Sequence, residues 1–156
     1  MKLKLSQPAP AFSLSDQSGQ AHSLKDYLGQ WVLIYFYPKD DTPGCTTEAC
    51  SLRDNFPRFK KLQAVVLGIS VDTVKSHNKF ATKYDLPFTL LADENKTVVK
   101  KYCVWKKKKF IGREYMGIVR TSFLINPKGQ IAKIYEGVKP AEHAEEVLAD
   151  LRVLIK

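Results

Sequence analysis

One cysteine of this chain stands where its thiol would ionise easily. Residues 32–36 are an apolar run that predicts a buried strand, and a turn rich in proline, aspartate and glycine leads from it to Cys45. Residues 46–53 are predicted to form a helix, so Cys45 lies at or just before a helix N-terminus. Unpaired backbone N–H groups and the helix dipole favour an anion there. The arrangement predicts a reactive thiolate.

The residues around Cys45 are spaced as a motif. Pro38, Thr42 and Cys45 form P-x-x-x-T-x-x-C, and Cys50 follows five residues later. This motif resembles the active-site motif of the peroxiredoxins, and the surrounding residues are similar to the branch called bacterioferritin comigratory protein or peroxiredoxin Q. The resemblance extends over nearly the whole chain and includes residues 8–14, 67–72 and 120–125.

The elements that must position these residues alternate between strands and helices. A helix beginning at Cys45 is expected to break near residues 54–55, and a second central strand spans 65–71. Strand, helix and strand at this length imply a parallel crossover. The elements predicted after it are a helix over 74–84, an extended piece at 90–93, a short helix at 96–102, strands at 121–125 and 130–135, and a last helix that opens at Pro140.

The order of these elements resembles a thioredoxin fold. We therefore expect an α/β protein with a central mixed β-sheet flanked by helices. Segments 11–14 and 21–24, on either side of a glycine-containing turn, predict an N-terminal β-hairpin extension. No linker or repeat interrupts the sequence, so residues 1–156 are expected to form a single domain.

The composition excludes several classes of protein. Hydrophobic residues make up 44% and charged residues 26% of the 156 residues, which is ordinary for a globular protein. No stretch approaches the ~20 apolar residues of a membrane span, and no secretory signal is recognisable at the N-terminus. Three cysteines do not suggest a secreted disulfide framework, so a reducing cytoplasm is the expected location.

The net charge of +9 is concentrated in one region. Residues 103–119 lack clear periodicity, and we predict a basic, aromatic loop that contains Lys106 to Lys109, Trp105, Phe110 and Tyr115. An acidic or nucleic-acid partner is one interpretation of the lysines. A solvated loop is favoured instead, because no recognition helix accompanies them.

The resemblance implies a peroxidase that reduces hydrogen peroxide and organic hydroperoxides without a cofactor or a metal. Such a reaction needs an ionised sulfur, groups that orient the peroxide and a positive charge near the leaving oxygen. Cys45 would supply the sulfur, while the Thr42 hydroxyl and the backbone N–H groups of Gly44 and Cys45 would bind the peroxide. Pro38 would shield the sulfur from water.

The positive charge must come from elsewhere in the chain. Arg120 directly precedes the predicted strand 121–125, which could bring it beside the end of strand 32–36. By resemblance, Arg120 is the active-site arginine of the family and Glu48 is the glutamate that orients it. An unpaired Glu48 would oppose a thiolate, whereas a Glu48 paired with Arg120 would not.

Cys50 cannot reach Cys45 while their helix is intact. Residues five apart in a helix have Cα atoms about 8.5 Å apart and point about 140° away from each other, whereas a disulfide requires Cα atoms within about 7 Å. The resemblance nevertheless implies that Cys50 forms a disulfide with the oxidised Cys45 after the helix unwinds. It also implies that thioredoxin, or a related dithiol reductant, reduces this bond, and that the protein is a monomer.

Other interpretations of the cysteines remain to be weighed. A dithiol oxidoreductase would carry C-x-x-C at this turn, but Thr42 stands in the place of the first cysteine. A zinc site would need paired cysteines or histidines at closer spacing. Cys103 is expected to be a buried apolar residue, with an accessory thiol as the alternative. The three histidines, His22, His77 and His143, are expected to be ordinary surface or packing residues.

Overall fold

The structure is a computed structural model, and it describes residues 2–156. Over these residues the chain forms nine strands: β1 (Ser13–Asp16), β2 (Ala21–Ser23), β3 (Trp31–Phe36), β4 (Ala64–Ser70), β5 (Thr89–Ala92), β6 (Trp105–Phe110), β7 (Arg113–Ile118), β8 (Thr121–Ile125) and β9 (Ile131–Glu136). The described part also contains five α-helices: α1 (Pro43–Asp54), α2 (Phe56–Lys61), α3 (Val74–Lys83), α4 (Thr97–Lys101) and α5 (His143–Leu154).

The main sheet is mixed and has the strand order β2-β1-β5-β4-β3-β8-β9. β3 pairs in parallel with β4, and β4 with β5, whereas β8 pairs antiparallel with β3 and with β9. The expected central mixed sheet with flanking helices is confirmed. The N-terminal hairpin of β1 and β2 is confirmed too, and it is joined to this sheet because β1 pairs antiparallel with β5.

β3 is covered on both faces, as its unbroken apolar sequence predicted. Leu33 and Tyr35 belong to one buried cluster, together with residues of α1, α2 and α5. Val32, Ile34 and Phe36 belong to a second cluster on the opposite face, which includes residues of α4. Successive side chains of a strand point to opposite faces, so a strand with helices on both sides has no polar alternation.

The segment 103–119 is not the loop that we expected. Residues Trp105–Phe110 and Arg113–Ile118 form an antiparallel hairpin, which is separate from the main sheet. Most of its side chains are exposed on both faces, so its sequence carries neither the alternation of a half-buried strand nor an apolar run. Local propensity also opposed this assignment, because lysine is depleted in strands.

Two helix starts and the burial of one cysteine differ from the expected ones. The last helix begins at His143 and not at Pro140, because residues 140–142 form a turn in which the Lys139 carbonyl accepts bonds from the N–H groups of Glu142 and His143. α1 begins two residues earlier than expected, at Pro43. Cys103 is half-buried and not buried, and it follows the end of α4 in the left-handed region, with φ of 60°.

Among the described residues, no helix has the length and the apolar character that a membrane crossing requires.

Candidate active site

Cys45 lies in the first turn of α1. The turn after β3 delivers the chain to Thr42, whose extended backbone starts the helix, and Pro43 occupies the first helical position, where its missing N–H costs nothing. Cys45 is only 2% exposed. Its sulfur therefore lies at the positive end of the helix dipole, largely shielded from water.

Arg120 reaches this sulfur from the neighbouring strand. Thr121, the first residue of β8, is the partner of Phe36, the last residue of β3, so the residue before β8 lies beside the turn that leads to α1. The Nη2 atom of Arg120 is 3.4 Å from the Cys45 sulfur. Its Nη1 atom donates a hydrogen bond of 2.6 Å to Oε1 of Glu48. One guanidinium group therefore joins the thiol to the carboxylate.

Glu48 is fully buried one helical turn after Cys45. Its Oε2 atom has no hydrogen-bond partner among the described residues. Burial raises the pKa of Glu48 to about 7, although the charge of Arg120 and its hydrogen bond act in the opposite direction. For Arg120, burial lowers the pKa, but the charges of Glu48 and Cys45 outweigh it, so its pKa is raised.

The turn before α1 and the first turn of the helix bring three further predicted residues to the same place. Gly44 lies close against Arg120, because an added Cβ would be 3.0 Å from Nη2 of that arginine. Thr42 donates its hydroxyl proton to the Lys39 carbonyl at 2.8 Å, which leaves the lone pairs of its oxygen available to accept. Pro38 is half-buried in the turn, two residues after the end of β3.

Cys50 lies in the same continuous helix as Cys45. Both are free thiols, and Cys50 is half-buried. Because α1 runs unbroken from Pro43 to Asp54, the two sulfurs face different sides of the helix.

A buried polar network that we did not predict ties the turn to α3. The Nδ1 atom of His77 lies 2.7 Å from Oδ2 of Asp40, and the Nε2–H group of His77 donates to the Leu91 carbonyl at 2.9 Å. Tyr37 donates to Oδ1 of Asp40 at 2.6 Å. The apolar stripe of α3, which contains His77, was the available signal, but Asp40 lies 37 positions away in sequence.

The same network contains three groups that could bind a metal ion. Ligand atoms of Asp40, Asp72 and His77 lie within 4.8 Å of one another. Each is already bonded to protein groups, since Asp72 accepts from the Asp40 N–H and from Ser70. These hydrogen bonds give the cluster a structural role, which is to support the turn before Cys45.

Comparison with known proteins agrees with this geometry. The model of the AhpC/TSA family matches residues 5–134. The chain therefore belongs to the AhpC/TSA family, and its relatives define the class more closely as a peroxiredoxin, a thiol peroxidase.

Relatives of high similarity are of the Bcp or peroxiredoxin Q type. Peroxiredoxin Bcp of Bacillus subtilis is 44% identical over 152 residues, which are 97% of each chain. A PrxQ mutant of Xylella fastidiosa superposes with a TM-score of 0.94 at 34% identity, over 100% of this chain and 99% of that one.

A third relative is the bacterioferritin comigratory protein of Xanthomonas campestris, studied for its alkyl peroxide reduction activity. It has a TM-score of 0.88 at 40% identity, over 93% of this chain and 92% of the other. These similarities confirm the predicted family, the thioredoxin-like fold and the peroxidase activity.

Proposed function

We propose that Cys45 is the residue that reduces the peroxide. The observation that carries this proposal is the distance of 3.4 Å between Nη2 of Arg120 and the Cys45 sulfur, in the first turn of α1. A fixed cation and the helix N-terminus both favour the thiolate.

In the proposed reaction, the thiolate attacks one oxygen of the peroxide. A sulfur–oxygen bond forms, the oxygen–oxygen bond breaks, and the other oxygen leaves as an alkoxide or hydroxide that takes up a proton from solvent. Cys45 becomes a sulfenic acid, and the peroxide becomes an alcohol or water. Arg120 stabilises the negative charge that develops on the leaving oxygen.

The neighbouring residues bind and orient the peroxide. The Thr42 oxygen accepts a hydrogen bond from the peroxide O–H group, and the N–H groups of Gly44 and Cys45 donate to the peroxide oxygens. Pro38 limits the access of water to the sulfur. Glu48 does not touch the peroxide. Its hydrogen bond of 2.6 Å with Nη1 of Arg120 holds the guanidinium group so that Nη2 faces the sulfur.

Cys50 completes the cycle. Its thiolate attacks the sulfur of the sulfenic acid, the disulfide forms, and the hydroxyl group leaves as water after it takes up a proton. Because both cysteines belong to one intact helix, the first turns of α1 must unwind before this step. A dithiol of the thioredoxin type then reduces the disulfide and becomes oxidised itself.

We propose hydrogen peroxide and organic hydroperoxides as substrates. The alkyl peroxide reduction activity of the Xanthomonas campestris relative supports the second class. The chain is proposed to act as a monomer of one domain in a reducing compartment such as the cytoplasm, where a dithiol can reduce the disulfide again.

The test compares three cysteine-to-serine variants with the wild type in peroxide turnover coupled to thioredoxin and its reductase. Cys45→Ser should be inactive. Cys50→Ser should consume one peroxide per chain and then stop, and Cys103→Ser is the matched control that should turn over normally. Mass spectrometry of alkylated peptides should find a Cys45–Cys50 crosslink after one equivalent of oxidant. A fully active Cys45→Ser protein would overturn the proposal.

A further inference from the structure

The hairpin of β6 and β7 is anchored at its base and exposed at its tip. Trp105, the first residue of β6, packs against the second core cluster, and Ile118, the last residue of β7, belongs to that cluster. From this base the two strands run to an exposed turn at Ile111 and Gly112. Because the hairpin is separate from the main sheet, its far end is free to contact another molecule.

The tip of the hairpin carries large apolar side chains in solvent. Phe110 is 66% exposed and Ile111 is 85% exposed. Tyr115 and Met116 of β7 are also exposed, and Tyr115 lies diagonally across from Phe110 on the same face of the hairpin. Apolar side chains that are exposed as a group mark surfaces that bind a partner.

Ile111 also has a backbone conformation that its side chain disfavours. Its φ is 50°, and the φ of Gly112 is 72°. A two-residue hairpin turn with both φ values positive is normally built from asparagine, aspartate and glycine, and a β-branched residue is strained there. Neither packing within the protein nor the turn explains an isoleucine at this position, so the side chain indicates a contact outside the chain.

Positive charges surround the apolar tip. Lys106, Lys107, Lys109 and Arg113 are exposed on the two strands. Glu114 is the one acidic residue of the hairpin, and it lies 3.3 and 3.9 Å from the ammonium groups of Lys107 and Lys109. An apolar tip with cations behind it complements a membrane surface that has apolar acyl chains beneath anionic headgroups.

Other partners fit this surface less well. A second copy of the chain would bring the same lysines together, and like charges on facing strands repel. A nucleic acid would attract the lysines, but its bases stack on aromatic rings, and Ile111, the most exposed of these apolar side chains, has no ring.

We propose that the tip of the hairpin docks on an anionic phospholipid surface. Phe110 and Ile111 enter the boundary between the headgroups and the acyl chains, while the lysines and Arg113 contact the lipid phosphates. Arg120 follows Gly112 by eight residues, so the active site of a docked protein lies at most about 30 Å from the inserted tip. This inference goes beyond the proposed function and does not depend on it.

The experiment measures co-sedimentation of the reduced full chain with lipid vesicles at about 0.15 M salt. One set of vesicles contains equal amounts of phosphatidylcholine and phosphatidylglycerol, and the other contains phosphatidylcholine alone. We expect binding to the anionic vesicles to be about 100-fold stronger, because each positive charge near an anionic surface strengthens binding about fivefold.

The apolar contact is tested with Ile111→Asn. Asparagine tolerates a positive φ, so the turn should form at least as well as in the wild type. We expect binding to the anionic vesicles to weaken about tenfold, because most of the apolar area of the isoleucine no longer enters the lipid. Val153→Asn, at an aliphatic position of α5 that is 71% exposed, is the matched control and should bind as the wild type does.

The charge contact is tested with a double variant, Lys109→Gln with Arg113→Gln. Binding should weaken about 25-fold, because two positive charges are removed beside the tip. Lys75→Gln with Lys79→Gln removes the same charge from exposed positions of α3, and it should change binding much less.

Equal binding of Ile111→Asn and Val153→Asn, or equal binding to the two kinds of vesicle, would overturn the inference. A single-stranded oligonucleotide that binds more tightly than the vesicles, and equally to the wild type and Ile111→Asn, would also overturn it in favour of a nucleic-acid partner. Turnover of hydrogen peroxide should be unchanged in Ile111→Asn. If it falls, Ile111→Gly provides the same comparison, because glycine adopts this φ without strain.

Discussion

The buried carboxyl group of Glu48 has a measurable consequence for stability. Glu48 is fully enclosed, and within residues 2–156 only its Oε1 atom has a partner, the guanidinium group of Arg120. Glu48→Gln keeps the shape of the side chain and an oxygen that accepts from Arg120, but it cannot carry a charge. We expect this variant to be more stable than the wild type at and above neutral pH.

The magnitude follows from the pKa of Glu48, which burial raises from its ordinary value of 4.5 to about 7. Between these two pH values the native state keeps a proton that the unfolded chain has released, so the stabilising contribution is complete below 4.5 and is lost as the pH rises through 7. A shift of about 2.5 units, at 1.36 kcal/mol per unit, corresponds to about 3 kcal/mol. The Glu48→Gln variant does not lose this stability, because its side chain cannot ionise.

The assay is urea unfolding of both reduced proteins at a series of pH values from about 4.5 to 8. His143 also has a shifted pKa, which burial lowers, and its effect on stability has the opposite sign. It is present in both proteins and cancels in their difference. Glu94→Gln, at an exposed position, is the matched control and should follow the wild type at every pH.

The difference in unfolding free energy between Glu48→Gln and the wild type should grow from near zero at about pH 4.5 to about 3 kcal/mol above neutral pH. The rate of peroxide reduction should decrease in the same variant, because Arg120 loses its charged partner. A Glu48→Gln protein that is less stable at all pH values, with a pH dependence parallel to that of the wild type, would refute this reasoning.

Two further variants test other contacts of the site. Arg120→Met should slow the oxidation of Cys45 by about 100-fold or more, measured by stopped-flow fluorescence, because the charge that stabilises the leaving oxygen is lost; a near-normal rate would contradict the role of Arg120. His77→Leu should lower the free energy of unfolding by about 3 kcal/mol in urea titrations, because it breaks the buried pair with Asp40. A loss below about 1 kcal/mol would show that this pair contributes little.

The sequence predicted the elements whose burial is uniform. β3 and β4 are mostly apolar runs because both of their faces are covered, and such runs are recognisable without a partner. The break near residues 54–55 was also correct, because α1 ends at Asp54 and α2 carries a proline in its first turn. The hairpin of β6 and β7 was missed, because its exposed faces leave no hydrophobic pattern.

The residues of the site also divide into those that local sequence predicts and those that only the fold brings together. The position of Cys45 near the start of α1 could be predicted from local sequence alone, but Arg120 is 75 positions away and was assigned through the resemblance to a family. The role of the Asp40–His77 pair depends on which neighbours the fold provides. Within their own segments, both residues were typical of exposed or packing positions.

The pairing of β3 with β8 determines where the chain tolerates a change in length. Arg120 meets Cys45 because Thr121 is paired with Phe36, and a shift of one residue in that ladder would turn every side chain of β8 to the opposite face. An insertion within β8 would therefore separate the guanidinium group from the thiol. An insertion at Ile111–Gly112, the exposed end of the other hairpin, changes no pairing of the main sheet. We therefore expect that a tag or a longer loop added at that end leaves the site intact.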